Sequence, residues 1–110
     1  MDTFSITLTE KAFSDLKEIF QYIRNHLKEP EIAKQQRDRI KQACFSLATF
    51  PNRYGFVPDG YLREQGVRFF PVDNYLVFYV VNVQKHTVSI LRILYSRRDW
   101  QMLLSNTSST

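Results

Sequence analysis

The sequence predicts an α+β fold, a two-layer sandwich with helices gathered on one face of an antiparallel sheet. Three patterns predict it. The stretch from Asn74 to Trp100, NYLVFYVVNVQKHTVSILRILYSRRDW, reads as two long apolar strands joined by a short polar turn. Between Phe13 and Leu27, apolar residues recur at three- and four-residue steps, the stripe of an amphipathic helix. The order of elements is strand, helix, helix, then a run of three or four strands and a short closing helix, and such segregation packs helices onto one sheet face.

Phe4-Ser5-Ile6-Thr7-Leu8 alternates apolar and polar, as a half-buried strand does. Thr9 suits a helix N-cap, with Glu10 in the first turn where the helix dipole favours an acid. The helix is expected over about residues 10 to 27. Phe13, Leu16, Ile19, Phe20, Ile23 and Leu27 form its stripe, and Asp15, Lys17, Glu18 and Arg24 lie on other faces. Lys28-Glu29-Pro30 breaks it, and Pro30 fits the first position of a second helix. Ala33, Ile40, Ala43, Cys44 and Leu47 give that helix a smaller-residue stripe ending before Phe50-Pro51. So short a connection makes the two helices antiparallel neighbours.

Residues 51–66, PNRYGFVPDGYLREQG, hold all three glycines and two of the four prolines, and read as a loop with a short strand at Tyr61-Leu62-Arg63. Val67 to Val72 is a strand in which Pro71 removes a ladder donor, so it belongs at an edge or a bulge. Asp73-Asn74 suits a two-residue hairpin turn. Tyr75 to Val83 is apolar on both faces and should be central and covered on both sides. After the Gln84-Lys85-His86 turn, alternation along Thr87 to Tyr95 places Val88, Ile90, Arg92 and Leu94 on one face, so Arg92 is a cation in line with aliphatics. Trp100, Leu103 and Leu104 pack back from a short helix, and residues 105–110 are expected to be a polar tail.

Composition bounds the class. A chain of 110 residues is near the usual size of one domain, here expected over residues 4–104. The longest apolar run, Tyr75 to Val81, is far too short for a membrane span, and the N-terminus lacks the basic flank and apolar segment of a signal peptide. A single cysteine fits a reducing cytoplasm, and one cysteine with two scattered histidines offers no metal-ligand spacing. No cofactor or metal is expected. Lysine and arginine exceed the acids 15 to 11, a net charge of +4 that favours an acidic protein or nucleic-acid partner.

Four segments, in order, resemble the RelE/ParE superfamily of bacterial type II toxins. They are Thr9-Glu10-Lys11-Ala12-Phe13-Ser14-Asp15-Leu16-Lys17-Glu18-Ile19 with Tyr22-Ile23; Leu47-Ala48-Thr49-Phe50-Pro51; Arg68 with Asn74-Tyr75-Leu76-Val77-Phe78-Tyr79; and Ile93-Leu94-Tyr95-Ser96-Arg97-Arg98-Asp99-Trp100. The resemblance spans about residues 4 to 104. It implies a cytoplasmic toxin in a hetero-oligomer with a cognate antitoxin. In one branch the target is DNA gyrase; in the other the toxin enters the ribosome and cleaves mRNA without a metal.

Metal-free RNA cleavage needs an activated 2′-hydroxyl, a stabilised phosphate and a protonated leaving oxygen. By resemblance Arg68 and Arg98 fall near basic positions of the nuclease branch, with Tyr95 as a substitute acid. Yet Leu76 and Phe70 stand where that branch carries further basic residues, and no tyrosine or histidine follows Tyr95. Arginine stays protonated and transfers no proton at neutral pH. The chain therefore leans to the gyrase-directed branch, with an mRNA endonuclease as the alternative and a non-toxic basic RNA-binding domain as a third reading. Target contact is expected from Arg92, Arg97, Arg98 and Trp100, and antitoxin contact from Phe70, Tyr75, Val77 and Tyr79 along the sheet face and helical hairpin. Each also has a structural role open to it: Arg92 bridging to an acid on the helices, Arg97 and Arg98 pairing with Asp99, and Trp100 and the tyrosines packing.

Overall fold

Strand β1 (Ser5–Leu8) leads into helix α1 (Glu10–Gln21) in a computed structural model that describes residues 3–108. Thr9 makes the junction. Its extended backbone ends the strand, its Oγ1 accepts the Ala12 N–H at 3.1 Å, and the same hydroxyl donates to the Leu91 carbonyl at 2.9 Å. The helix does not stay regular to residue 27. It widens into a π-helical turn over Tyr22–His26, where the Leu27 N–H reaches the Tyr22 carbonyl at 3.2 Å. Lys28 then takes a left-handed backbone (φ 56°), and Pro30 opens α2 (Pro30–Phe45) at the position where its missing N–H costs least.

A four-stranded sheet lies under this hairpin in the order β1-β4-β3-β2, with β2 at Arg68–Val72, β3 at Tyr75–Asn82 and β4 at Thr87–Tyr95. The last three strands are antiparallel neighbours, joined first by Asp73-Asn74, with Asp73 left-handed (φ 56°). The N-terminal strand pairs with β4 in parallel, because the helical hairpin carries the chain across the sheet before it returns. The sheet is therefore mixed.

Pro71 is on an edge strand, as its missing donor requires. The outward Phe69 N–H in the same strand is taken by the Gly55 carbonyl at 3.2 Å, so this edge offers little to another chain. The short strand expected at Tyr61-Leu62-Arg63 is a helix instead, α3 (Gly60–Glu64). Asp59 starts it by accepting the Leu62 N–H at 3.1 Å, an N-cap that overrides the β preference of Tyr61. The closing helix α4 spans Trp100–Ser108 and continues into the expected polar tail.

The sheet is covered on both faces. Against the helices lie Val77, Tyr79, Val88, Ile90, Ile93 and Phe70 with Leu16, Ile40, Cys44 and Leu47. On the opposite face Phe78 and Leu94 pack with Val57, Leu62, Val67 and Leu104, with Trp100 tilted over Phe78 at 5.4 Å. Full burial of each large apolar side chain is worth about 1.5–3 kcal/mol. The simple alternation expected for β4 fails at one point. Phe78 pairs with Arg92 while Tyr79 pairs with Ile90, so Leu91 has no partner and forms a bulge. The bulge shifts the phase, which sends Ile93 to the helix-side core with Val88 and Ile90, and Leu94 to the other.

Candidate functional site

The bulge sits where β1 leaves the sheet, and the β4 edge beyond Ile90 needs new partners. Asp15 supplies them. Its carboxylate accepts the Ile93 N–H at 3.0 Å and the Arg92 Nε and Nη2 at 2.7 and 2.9 Å. Asp15 is only 5% exposed, not on a solvated helix face as the helical period had placed it. The hydrogen bonds to Asp15 hold the Arg92 guanidinium more firmly protonated than usual, against the opposing effect of burial. Arg92 is thus tied inward to α1 rather than presented to a target.

Two grooves flank α1. The first, about 440 Å³, runs between α1 and α2 over a floor of Leu8, Leu16, Ile40, Cys44 and Ile93. Phe13 and Phe45 stand exposed along it, and every charged residue that lines it is a cation: Lys17, Arg37 and Lys41. Arg37 is held over the Phe20 ring at 5.0 Å. Burial pushes the Cys44 thiol up to about 12, which keeps it an inert core residue.

The second groove, about 700 Å³, lies on the other side of α1, against the sheet end. Tyr22 and Leu27 from the π-helical turn, Tyr75, Tyr95, Asn74 and Arg98 line it, with Glu18 and the Asp15 carboxylate. Tyr75 and Tyr95 meet edge-to-face at 6.0 Å. Burial first, then the neighbouring Tyr95 and Tyr22 phenols, raise the Tyr75 pKa above its ordinary value. The middle of α2 fixes this end of the sheet, since Arg39 and Gln36 reach Asp73 at 2.6 and 2.9 Å.

The residues expected to act together are split among separate places. Arg98 and Tyr95 share the second groove. Arg68 does not: it sits on the far edge strand opposite Tyr79, with its Nη1 on the Asn52 and Tyr54 carbonyls at 3.2 and 2.5 Å. Tyr95 pairs with Tyr75, so Arg68 lies roughly 13 Å along the sheet from that end at the usual rise of a strand. Arg97 is exposed, and neither it nor Arg98 forms an ion pair with Asp99 among the described residues. Trp100 is half-buried against Phe69 and Phe78 and serves packing.

Three of the four residues expected to meet an antitoxin are interior. Phe70, Val77 and Tyr79 are buried because the helices already cover that sheet face; only Tyr75 borders a groove. The Tyr79 hydroxyl donates to the Pro51 carbonyl at 2.7 Å, and burial pushes it up to about 12 despite the nearby Arg68 and Arg53 charges. The walls that sequence reasoning missed are Phe13, Phe45 and Tyr22. For the first, the signal was there: its position at the margin of the helical stripe leaves it 64% exposed. Tyr22 carried none, since a widened helical turn has no periodic signature.

The model of the family described as ParE toxin of type II toxin-antitoxin system, parDE, matches residues 6–100. The chain belongs to this family. It is by class the toxin of a type II toxin–antitoxin system. Among solved structures, the chromosomal ParDE toxin–antitoxin system from P. aeruginosa is similar at TM-score 0.70 and 24% identity, covering 86% of this chain and 98% of that one. The RelBE2 toxin–antitoxin complex from Mycobacterium tuberculosis is similar at TM-score 0.61 and 19% identity, covering 84% of this chain and 98% of that one. At these identities the likeness is one of fold. No curated protein matches the sequence. Among the described residues of this ParE-family chain, no helix is long and apolar enough to cross a membrane.

Proposed function

We propose that this toxin inhibits DNA gyrase and is held inactive by an antitoxin segment laid between α1 and α2. The gyrase reading is carried by the separation of the arginines. Arg68 is spent on loop carbonyls, Arg92 on Asp15, and only Arg98 faces a groove beside a tyrosine. Stabilising a phosphate in flight requires preorganised donors around one point, and Arg68, Arg92 and Arg98 do not converge on one. A groove of tyrosines, leucine and one arginine is better suited to a protein surface, where aromatic residues and arginine dominate binding energy.

Neutralisation rests on the first groove. An apolar floor with a wholly cationic rim matches an amphipathic helix with acidic flanks, read at helical spacing. The antitoxin is recognised there by Phe13 and Phe45 as anchors, with Lys17 and Lys41 setting its polarity. The test is a pull-down and titration calorimetry with a candidate antitoxin whose C-terminal segment is acidic. Lys17→Glu with Lys41→Glu should weaken binding at least tenfold, and affinity unchanged by that reversal would refute the assignment. The alternative, ribosome-dependent cleavage of mRNA, is favoured by Tyr95 beside Arg98. Mapping of mRNA 5′ ends after induction decides it, since codon-phased cuts would replace the gyrase reading.

A further inference from the structure

The loop between α2 and β2 carries a feature that neither groove uses. Arg53, Tyr54, Arg68, Phe56 and Arg63 make a ladder of two cation–ring stacks, joined where Arg68 bonds the Tyr54 carbonyl. Arg53 lies over Tyr54 at 5.4 Å, while Arg68 and Arg63 lie over Phe56 at 4.0 and 5.9 Å. Arg68 also clamps the loop through the Asn52 and Tyr54 carbonyls, which fixes the ladder to the sheet edge. None of these three arginines forms an ion pair with an acid among the described residues. Phe56 is 38% exposed and Tyr61, on α3 beside Arg63, is 50% exposed.

We propose that this ladder binds a single-stranded polynucleotide, separately from the two grooves. The chemistry favours that ligand over its competitors. Stacking on a ring fixes the plane of a guanidinium while leaving N–H groups for phosphate oxygens and an outer face for a base. Rings interleaved with arginines that meet no acid, Phe56 partly exposed and Arg53 donating only to the Ser46 hydroxyl at 2.6 Å, match unstacked bases on a charged backbone. A duplex hides its base faces from such rings, and an acidic peptide has carboxylates but no π faces to stack. The inference goes beyond gyrase inhibition and needs neither gyrase nor antitoxin for its test, so either can fail alone.

The experiment is fluorescence anisotropy of the whole protein with labelled oligo-dT and oligo-U of about a dozen nucleotides, a site size within the single-strand range, and a matching duplex. Three phosphate contacts give log K a slope near −2 against log salt, about a 20-fold loss from 50 to 200 mM. Arg53→Gln with Arg63→Gln spares the Arg68 clamp and should flatten that slope to about −0.7, the one contact left. A control with Lys11→Gln and Lys28→Gln makes the same charge change elsewhere and should bind as the parent does. Preference for oligo-dT or oligo-U identifies DNA or RNA as the source, and either supports the proposal. It is overturned if no single strand binds, if the ladder variant binds like the control, or if the duplex binds as tightly as the single strand. Competition by poly-glutamate as strong as by the oligonucleotide would reassign the ladder to an acidic protein, and equally overturn it.

Discussion

Removing the Asp15 carboxylate should be among the costliest single changes on α1. Its side chain is 6% exposed and that of Arg92 is 12% exposed, so solvent screens the pair weakly. Asp15→Ala removes both guanidinium bonds and the acceptor of the Ile93 N–H. Breaking such a buried pair from one side costs about 3–5 kcal/mol, against about 0–1 kcal/mol for an exposed pair. For a chain of this length roughly 4 °C of melting temperature accompanies each kcal/mol, giving a drop of about 12–20 °C. Asp15→Asn keeps an acceptor for Ile93 and should lose less, about 1.5–3 kcal/mol for the charge-assisted part. The double change Asp15→Leu with Arg92→Met should recover most of the loss, since an apolar pair avoids desolvating ions. Urea and thermal melts by circular dichroism read all three. A loss below about 1 kcal/mol for Asp15→Ala would refute the claim that this pair seals the β4 edge.

Other consequences are open to similar measurement. Phe50 holds a left-handed backbone (φ 52°) and is 79% exposed, so Phe50→Gly sheds strain of about 1–2 kcal/mol against an entropy cost of about 0.5–1 kcal/mol. The melt should rise slightly, and a clear fall would show that the ring is doing unseen packing. Trp100→Ala should cost about 2–3 kcal/mol, less than a fully buried tryptophan, and expose backbone amides of α4 to hydrogen exchange before those of β3. Alkaline pH should unfold the protein through Cys44 and Tyr79. Both folded pKa values are raised to about 12, from 9.0 and 10.0, so the folded state keeps protons that the unfolded state releases. Stability then falls with rising pH above about 9, by about 1.4 kcal/mol per pH unit for each group in its window. Tyr79→Phe should remove the part that begins near pH 10, and an unchanged pH profile would contradict its burial as a protonated phenol.

The layers of this fold were legible because they rest on periodicity. The Leu16–Ile23 part of the stripe, the Thr9 cap, Pro30 and the Asp73-Asn74 turn each act locally, and each is where the residues put it. What the sequence hid depends on partners far along the chain. The Leu91 bulge is invisible in a strand that alternates plausibly, and it alone decides that Ile93 rather than Arg92 joins the helix-side core. Asp15 looked like a surface acid because its buried partner lies 77 residues away. Tyr61 to Arg63 followed β preference until the Asp59 cap outweighed it. The site suffered most. Motif matching found Arg68 and Arg98 and strand alternation found Arg92, but only three-dimensional placement shows each of them engaged in a different environment.

Supercoiling of relaxed plasmid by purified gyrase tests the central claim most directly. With the toxin in excess, supercoiling should stop. The antitoxin should restore it, and Arg98→Ala should lose inhibition at least tenfold while melting like the parent. Uninhibited supercoiling by a protein that still arrests growth and cuts mRNA would contradict the account.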